Sequence, residues 1–335
     1  MITANALRRQ VPRWQHELAT AITDPLELLR ELELDPLLLP AARAAAVRFS
    51  LRVPRGFVAR MCKGDPDDPL LRQVLPLAAE LAPAPGFVVD PVGDITVQAA
   101  PGVLHKYHGR ALLIVTGACA VHCRYCFRRE FPYAAVHAGM DQWQPALAYL
   151  RHDSSIREVI LSGGDPLALS DRRLGELLVE LGRIPHLERL RIHSRLPIVL
   201  PERVDDGLLD VLASIRLQRV LVVHANHPRE LDYTVCIALA RLAAAGVTLF
   251  NQAVLLRGVN DSAATLAELS RILFTAHVIP YYLHLLDRVH GAAHFEVKES
   301  AASAMMKELR RLLPGYLVPR LVREQAGAPA KMPVW

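Results

Sequence analysis

Three cysteines, Cys119, Cys123 and Cys126, stand within one short stretch in the order C-x3-C-x2-C. Thiolates at that spacing can hold three corners of a four-iron cluster from a single loop, leaving the fourth iron open to a ligand. The same residues also allow a zinc site completed by His122 or His108, or a cysteine group without metal. Zinc sites favour paired ligands and four of them, which weighs against that reading. Cys62 and Cys236 stand alone, so the five cysteines make a poor disulfide framework and point to a reducing, cytoplasmic setting.

Other residues able to do chemistry are scattered along the chain. Ser162-Gly163-Gly164-Asp165, His193-Ser194-Arg195, His224-Ala225-Asn226-His227, Asn251-Gln252 and Asp287 are polar clusters, and Lys331 sits in the segment GAPAKMP near the chain end. Taken singly, each has an ordinary explanation. A Gly-Gly-Asp is most often a turn, Asp287 and Glu324 are surface acids, and a terminal lysine is a solvated tail.

The elements that must position these groups give them more weight. From Arg110 onward, β-branched runs at 111–116, 158–162, 189–193, 219–224, 247–253 and 278–283 alternate with amphipathic stretches at 172–181, 208–215, 230–244 and 263–273, the last capped by Asp261 or Ser262. This predicts six parallel strands joined by right-handed helical crossovers, hence an α/β fold closing as a partial (β/α)6 TIM-like barrel. Nearly every polar cluster falls just after a predicted strand, where such barrels assemble their sites from loops. Surface polarity distributed at random would not sort this way.

Ahead of the barrel, residues 15–46 read as helical, with Thr23-Asp24-Pro25 opening a helix, while 63–69 and 82–93 read as irregular. The expected organisation is a mainly helical extension over 1–100, a barrel over 101–315 and a C-terminal segment over 316–335. At 335 residues, 52% hydrophobic and 22% charged, the chain can bury a sizeable core. Its longest apolar runs are too short to span a bilayer, and the opening MITANALRRQ lacks the apolar segment of a signal peptide, so no membrane is expected. The net charge of +5 is dispersed, with no basic run, which argues against a nucleic-acid partner.

The cysteine spacing after a first strand resembles the radical S-adenosylmethionine (SAM) superfamily, in which the open iron of a [4Fe-4S] cluster binds the methionine end of SAM. Ser162 to Pro166 resembles that superfamily's second-strand glycine motif, implying SAM contacts from Ser162, Gly163, Gly164 and Asp165. The barrel-mouth location of His193, Arg195, His224, Asn226 and Gln252 suggests further SAM contacts, Asn226 and Gln252 foremost, the alternative being that they satisfy loop backbone groups. Cys126-Phe127-Arg128-Arg129, Asn226-His227-Pro228, NQAVLLRGVND at 251–261 and Pro280-Tyr281-Tyr282 resemble lysine 2,3-aminomutase.

That resemblance implies that Lys331 holds pyridoxal 5′-phosphate (PLP) as a Schiff base and that Arg128 pairs with the substrate carboxylate. It further implies that Asp287 and Glu324 bind the distal ammonium of free lysine, and that Arg110, with Lys106, meets the PLP phosphate. The family usually has Asp where this chain has Glu324. An external electron donor would start a SAM-derived radical, and PLP would assist migration of the α-amino group to Cβ.

The chain stops four residues after Lys331 and lacks a C-terminal cysteine cluster. With the stretches at 22–25 and 64–69, this resembles the branch that makes (R)-β-lysine for modification of elongation factor P by a partner ligase. The competing readings are an aminomutase making free (S)-β-lysine or acting on another amino acid, and a non-catalytic iron–sulfur protein that binds RNA with steep salt dependence.

Overall fold

The structure is a computed structural model describing residues 12–133 and 140–335; the opening MITANALRRQ lies outside the described residues. In the N-terminal region, Asp24 accepts a hydrogen bond from the Leu26 amide, and Pro25 takes the first helical position of α2 (Pro25–Glu31). This is the expected cap, and it satisfies an amide that a helix start leaves orphaned. Helices α1 (Arg13–Ala19), α3 (Leu39–Arg48) and α4 (Arg55–Val58) complete the helical part, and the chain is largely irregular from there to residue 97. Trp14, Ile22, Leu28, Phe57 and Leu70 are buried in one continuous apolar cluster with Leu161, Leu190 and Leu249 of the barrel.

The sheet runs in simple chain order. β1 (Gln98–Ala100) and β2 (Val103–Tyr107) form an antiparallel flap on β3 (Arg110–Thr116). Parallel to β3 then follow β4 (Glu158–Gly163), β5 (Arg189–Ser194), β6 (Gln218–Val223), β7 (Thr248–Val254), β8 (Val278–His284) and β9 (Arg320–Arg323). The two-residue β10 (Met332–Pro333) returns antiparallel to β9. All six expected strands are present, and β9 is a correction to their number: the parallel run continues to a seventh. The order places β1 and β10 at opposite edges, so the described strands form an open barrel.

Between the parallel strands lie α5 (Met140–His152), α6 (Asp171–Gly182), α8 (Asp206–Ala213) after the short α7 (Leu196–Val199), α9 (Tyr233–Ala244), α10 (Ala263–Thr275) and α11 (Glu299–Leu312). Ser262, not Asp261, caps α10 by accepting from the Thr265 amide. Along β5 the alternation of a strand separates Leu190 and Ile192, which are buried in the core, from Arg191 and His193, which line the barrel's cavity, and Ser194 at the strand's end lines it as well. No helix among the described residues is long and apolar enough to cross a membrane.

Candidate active site

A cavity of about 590 Å³ occupies the mouth of the barrel, within the range of sites that enclose small organic ligands. All three clustered cysteines line it. Their loop is held from below: the Arg124 guanidinium, fully buried, donates to both oxygens of Glu80 (2.8 and 2.5 Å) and to the Phe49 carbonyl, and Arg129 donates to Glu80 at 2.8 Å. Arg195 reaches Cys123 Sγ at 2.8 Å, and its other edge is fixed by Gln73 and Glu230. Burial, followed by the neighbouring cysteines' charge, pushes the Cys119 thiol well up, and burial with Cys123 takes Cys126 to about 11. The three thiols line one cavity but do not converge on a single ion site among the described residues, and a cluster of several irons would hold such spaced thiols as thiolates.

The glycine pair supplies a cradle. Gly163 takes φ +126°, and a Cβ there would stand 2.5 Å from the Thr116 carbonyl oxygen; at Gly164 it would stand 2.3 Å from that of Ala118. Only a residue without a side chain lets the end of β4 lie against the cysteine loop. The donor set and this cradle fit a three-thiolate cluster with a small-molecule ligand beside it.

The other expected site residues divide into two groups. Arg110, Arg128, Ser162, Gln252, Asp287, Glu324 and Lys331 all line the cavity. Asp165 lines it too, but its carboxylate accepts from Ser194 Oγ and the amides of Leu167, Arg195 and Leu196, so it organises the loops. Asn226 is wholly buried outside the lining: its amide donates to Gln73 and Tyr125 and accepts from the Val254 amide.

Lys331 Nζ donates to Glu324 Oε2 at 2.6 Å, and Tyr107 donates to Glu324 Oε1 at 2.6 Å. Burial opposes ionisation of Glu324, but the Lys331 charge and these hydrogen bonds outweigh it and hold the carboxyl below its usual value. Asp287, whose carboxylate has no hydrogen-bonding side-chain partner among the described residues, is raised by burial to about 7, with Lys331 pulling it down and Glu324 pushing it up. The Arg110 guanidinium stacks on the Tyr107 ring at 4.7 Å and has no carboxylate partner among the described residues. A cation without a carboxylate partner and a lysine amine lining one cavity fit a phosphorylated carbonyl cofactor.

Two contributors, Asp94 and His284, escaped the sequence reading, while His193 and His224 figured in it only as polar residues after strands. Asp94 bonds Arg128 Nε and Lys106 Nζ, each at 2.6 Å. His193, His224 and His284 face one another across the lumen, each held neutral mainly by burial, His224 at about 3. His224 meets the Tyr125 hydroxyl and His284 the Gln252 amide, while His193 Nε2 is buried without a partner among the described residues, a group left for a ligand. The positions of His193 and His224 at strand ends were visible in the sequence. Nothing local marks Asp94.

An open parallel barrel with a three-cysteine loop after its first parallel strand defines a radical SAM protein, and residues 113–269 match the radical SAM superfamily. The chain is 53% identical to an L-lysine 2,3-aminomutase of Escherichia coli over all of its own length and 97% of that protein's. It is 48% identical to one of Haemophilus influenzae over 96% of each chain. A longer namesake from Clostridium subterminale is 39% identical over 81% of this chain and 65% of that one. The chain belongs to the lysine 2,3-aminomutase family and is a radical SAM aminomutase, an isomerase. The cofactors of that family are a [4Fe-4S] cluster, SAM and PLP.

Proposed function

We propose that the protein converts free (S)-α-lysine to (R)-β-lysine in the cytoplasm and supplies it, through a partner ligase, for modification of elongation factor P. The observation that carries the substrate is the pairing within one cavity of Arg128, whose outer guanidinium edge takes no partner among the described residues, with the carboxylates of Asp287 and Glu324 around Lys331. That is the complement of an amino acid with a second, cationic end. A planar guanidinium binds carboxylate bidentately, and paired carboxylates select an ammonium at fixed reach. The stretches at 22–25 and 64–69 favour the elongation factor branch over a maker of free (S)-β-lysine.

Cys119, Cys123 and Cys126 would hold three irons, with Gly163 and Gly164 giving SAM room, and Lys331 and Arg110 would hold PLP by its carbonyl and phosphate ends. When bound, these groups supply a hydrogen-abstracting radical and a π-system across which an amino group can migrate. The chain's own part is to fix the substrate. Arg128 orients the carboxylate, Asp287 and Glu324 hold the far ammonium, and together they set which carbon faces the radical source. The neutral histidines line the lumen without adding charge beside Arg128 and Lys331.

The test is anaerobic incubation of reduced, cluster-loaded protein with SAM, PLP and (S)-α-lysine, followed by chiral separation. (R)-β-lysine is the expected product. (S)-β-lysine would move the protein to the free β-lysine branch, and no β-lysine from fully loaded protein would overturn the substrate.

A further inference from the structure

The loop at 90–94, DPVGD, lies in the stretch that reads as irregular, yet it is closely built. The Asp90 carboxylate accepts from the amides of Asp94 and Ile95, both at 2.9 Å, and Gly93 turns the chain at φ +71°. Two residues upstream of Asp90, Val88 is bridged to Val289, just past Asp287. The loop is thereby tied to the segment that carries one end of the substrate site while it delivers Asp94, 3% exposed, to the other.

Asp94 Oδ2 meets Arg128 Nε and Oδ1 meets Lys106 Nζ, and Lys106 also donates to the Val92 carbonyl at 2.7 Å. Arg128 Nη1 donates to Ser162 Oγ at 3.0 Å. A guanidinium is planar, so contacts at Nε and at one Nη1 hydrogen fix its plane and leave Nη2 with the second Nη1 hydrogen as a fork. No side chain or carbonyl among the described residues takes that fork. Both oxygens of Asp94 are spent, so it acts through its partners. It also sets the local charge: Arg128 and Lys106 against Asp94 leave a net single positive charge, matched to one carboxylate. The two cations alone would favour a phosphate or a dicarboxylate.

We infer that Asp94 is a positioning residue that fixes the orientation and net charge of the substrate-carboxylate site, an assignment that rests on Arg128 being the anchor for that carboxylate. Its loss weakens ligands that carry a carboxylate and spares those that do not. The probes are lysine and 1,5-diaminopentane, which has both amines of lysine and no carboxylate. Each is titrated into cluster- and PLP-loaded protein without reductant, following the absorption of bound PLP.

Asp94→Asn is expected to weaken lysine about tenfold to a hundredfold, the range of a lost charge-assisted hydrogen bond. Diaminopentane should stay within about twofold, and iron and PLP contents at parent values. Equal weakening of both probes, or no weakening of lysine, overturns the inference. Arg128→Lys separates the two assignments: if it leaves lysine binding intact, the anchor itself is wrong, whereas if it weakens lysine while Asp94→Asn does not, only the role of Asp94 fails. Should Asp94→Asn not fold, Asp90→Ala loosens the same loop and leaves both cations their counter-ion. It must then show the same selective loss of lysine, and its absence overturns the inference equally.

Discussion

Glu324 stands between Lys331 and Tyr107, with one carboxylate oxygen 2.6 Å from the amine and the other 2.6 Å from the hydroxyl. Lys106 Nζ lies a further 3.8 Å away, so an alternating series of charges runs Arg128, Asp94, Lys106, Glu324, Lys331 along one side of the cavity. Each member has its neighbour's opposite sign, which keeps buried charges affordable where isolated ones would neutralise.

Glu324→Gln keeps the shape and the hydrogen bond from Tyr107 but removes the negative charge. We expect lysine binding to weaken by about 2 kcal/mol, roughly thirtyfold, as for a lost charged hydrogen bond. PLP content should be unchanged, because the Lys331 amine remains. Glu324→Asp should retain most of the affinity. Titration with lysine, and PLP quantified by absorbance, would check both, and parental lysine affinity in Glu324→Gln would remove this residue from the ammonium site.

Asp287, as a proposed ligand of the lysine ammonium, is expected to make turnover pH-dependent. Its folded value of about 7 lies above the ordinary carboxyl value. The folded state therefore binds the proton more tightly than the unfolded state, and this group's contribution to stability is present at low pH and lost as pH rises from about 4 to about 7. Binding of a lysine ammonium needs the opposite, ionised form. We expect kcat/KM for lysine to climb with pH through about 7, and that limb to vanish in Asp287→Asn along with most of the activity. A kcat/KM profile flat between pH 6 and 8, a range set by the titration of a group near 7, would exclude Asp287 from substrate binding.

Much of this architecture was legible because its signals are local. The six β-branched runs and the Asp24-Pro25 helix start depend only on neighbouring residues, and the cysteine spacing needs no tertiary context. Strand β9 was not legible: RLVR is four residues long with a charge at each end, and it is a strand because β8 offers it an edge. Helix α5 was hidden by Pro145 inside it and stands because α5 fills the crossover between β3 and β4. The polar groups divide for the same reason. Asn226 and Asp165 follow strands and Gln252 lies near the end of one, but the sequence does not say whether a polar side chain faces the cavity or ties up loop backbone. Asp94 finds both its partners on other elements, Lys106 on β2 and Arg128 in the cysteine loop.

The two ends of the machinery should separate cleanly. Lys331→Ala removes the amine that reaches the cavity, so the protein should lose bound PLP absorbance yet keep iron and reductive SAM cleavage. Cys123→Ala should do the reverse, losing iron and SAM cleavage while still taking up PLP. It also leaves the buried Arg195 without its sulfur contact, and removing one side of such a contact destabilises by about 1–3 kcal/mol. Turnover of lysine in Lys331→Ala would contradict its assignment.

Gly164 provides a test that involves no polar group at all. A methyl at this position would stand 2.3 Å from the Ala118 carbonyl oxygen and 2.8 Å from the Gly117 carbonyl carbon. Both atoms are backbone of the cysteine loop, so no side-chain rotation relieves the clash and the loop itself must move. Cys119 is the next residue, hence the displacement falls on a proposed iron ligand. We expect Gly164→Ala to lower stability by about 1–3 kcal/mol, the usual cost of overpacking, and to reduce iron content and SAM cleavage far more than that loss of stability accounts for. Gly315→Ala, where a Cβ would meet nothing within 4 Å, should alter none of these. Iron content after anaerobic reconstitution and the thermal midpoint distinguish the cases. Full iron loading of Gly164→Ala would mean that the cluster loop tolerates displacement and that the glycine is there for SAM alone.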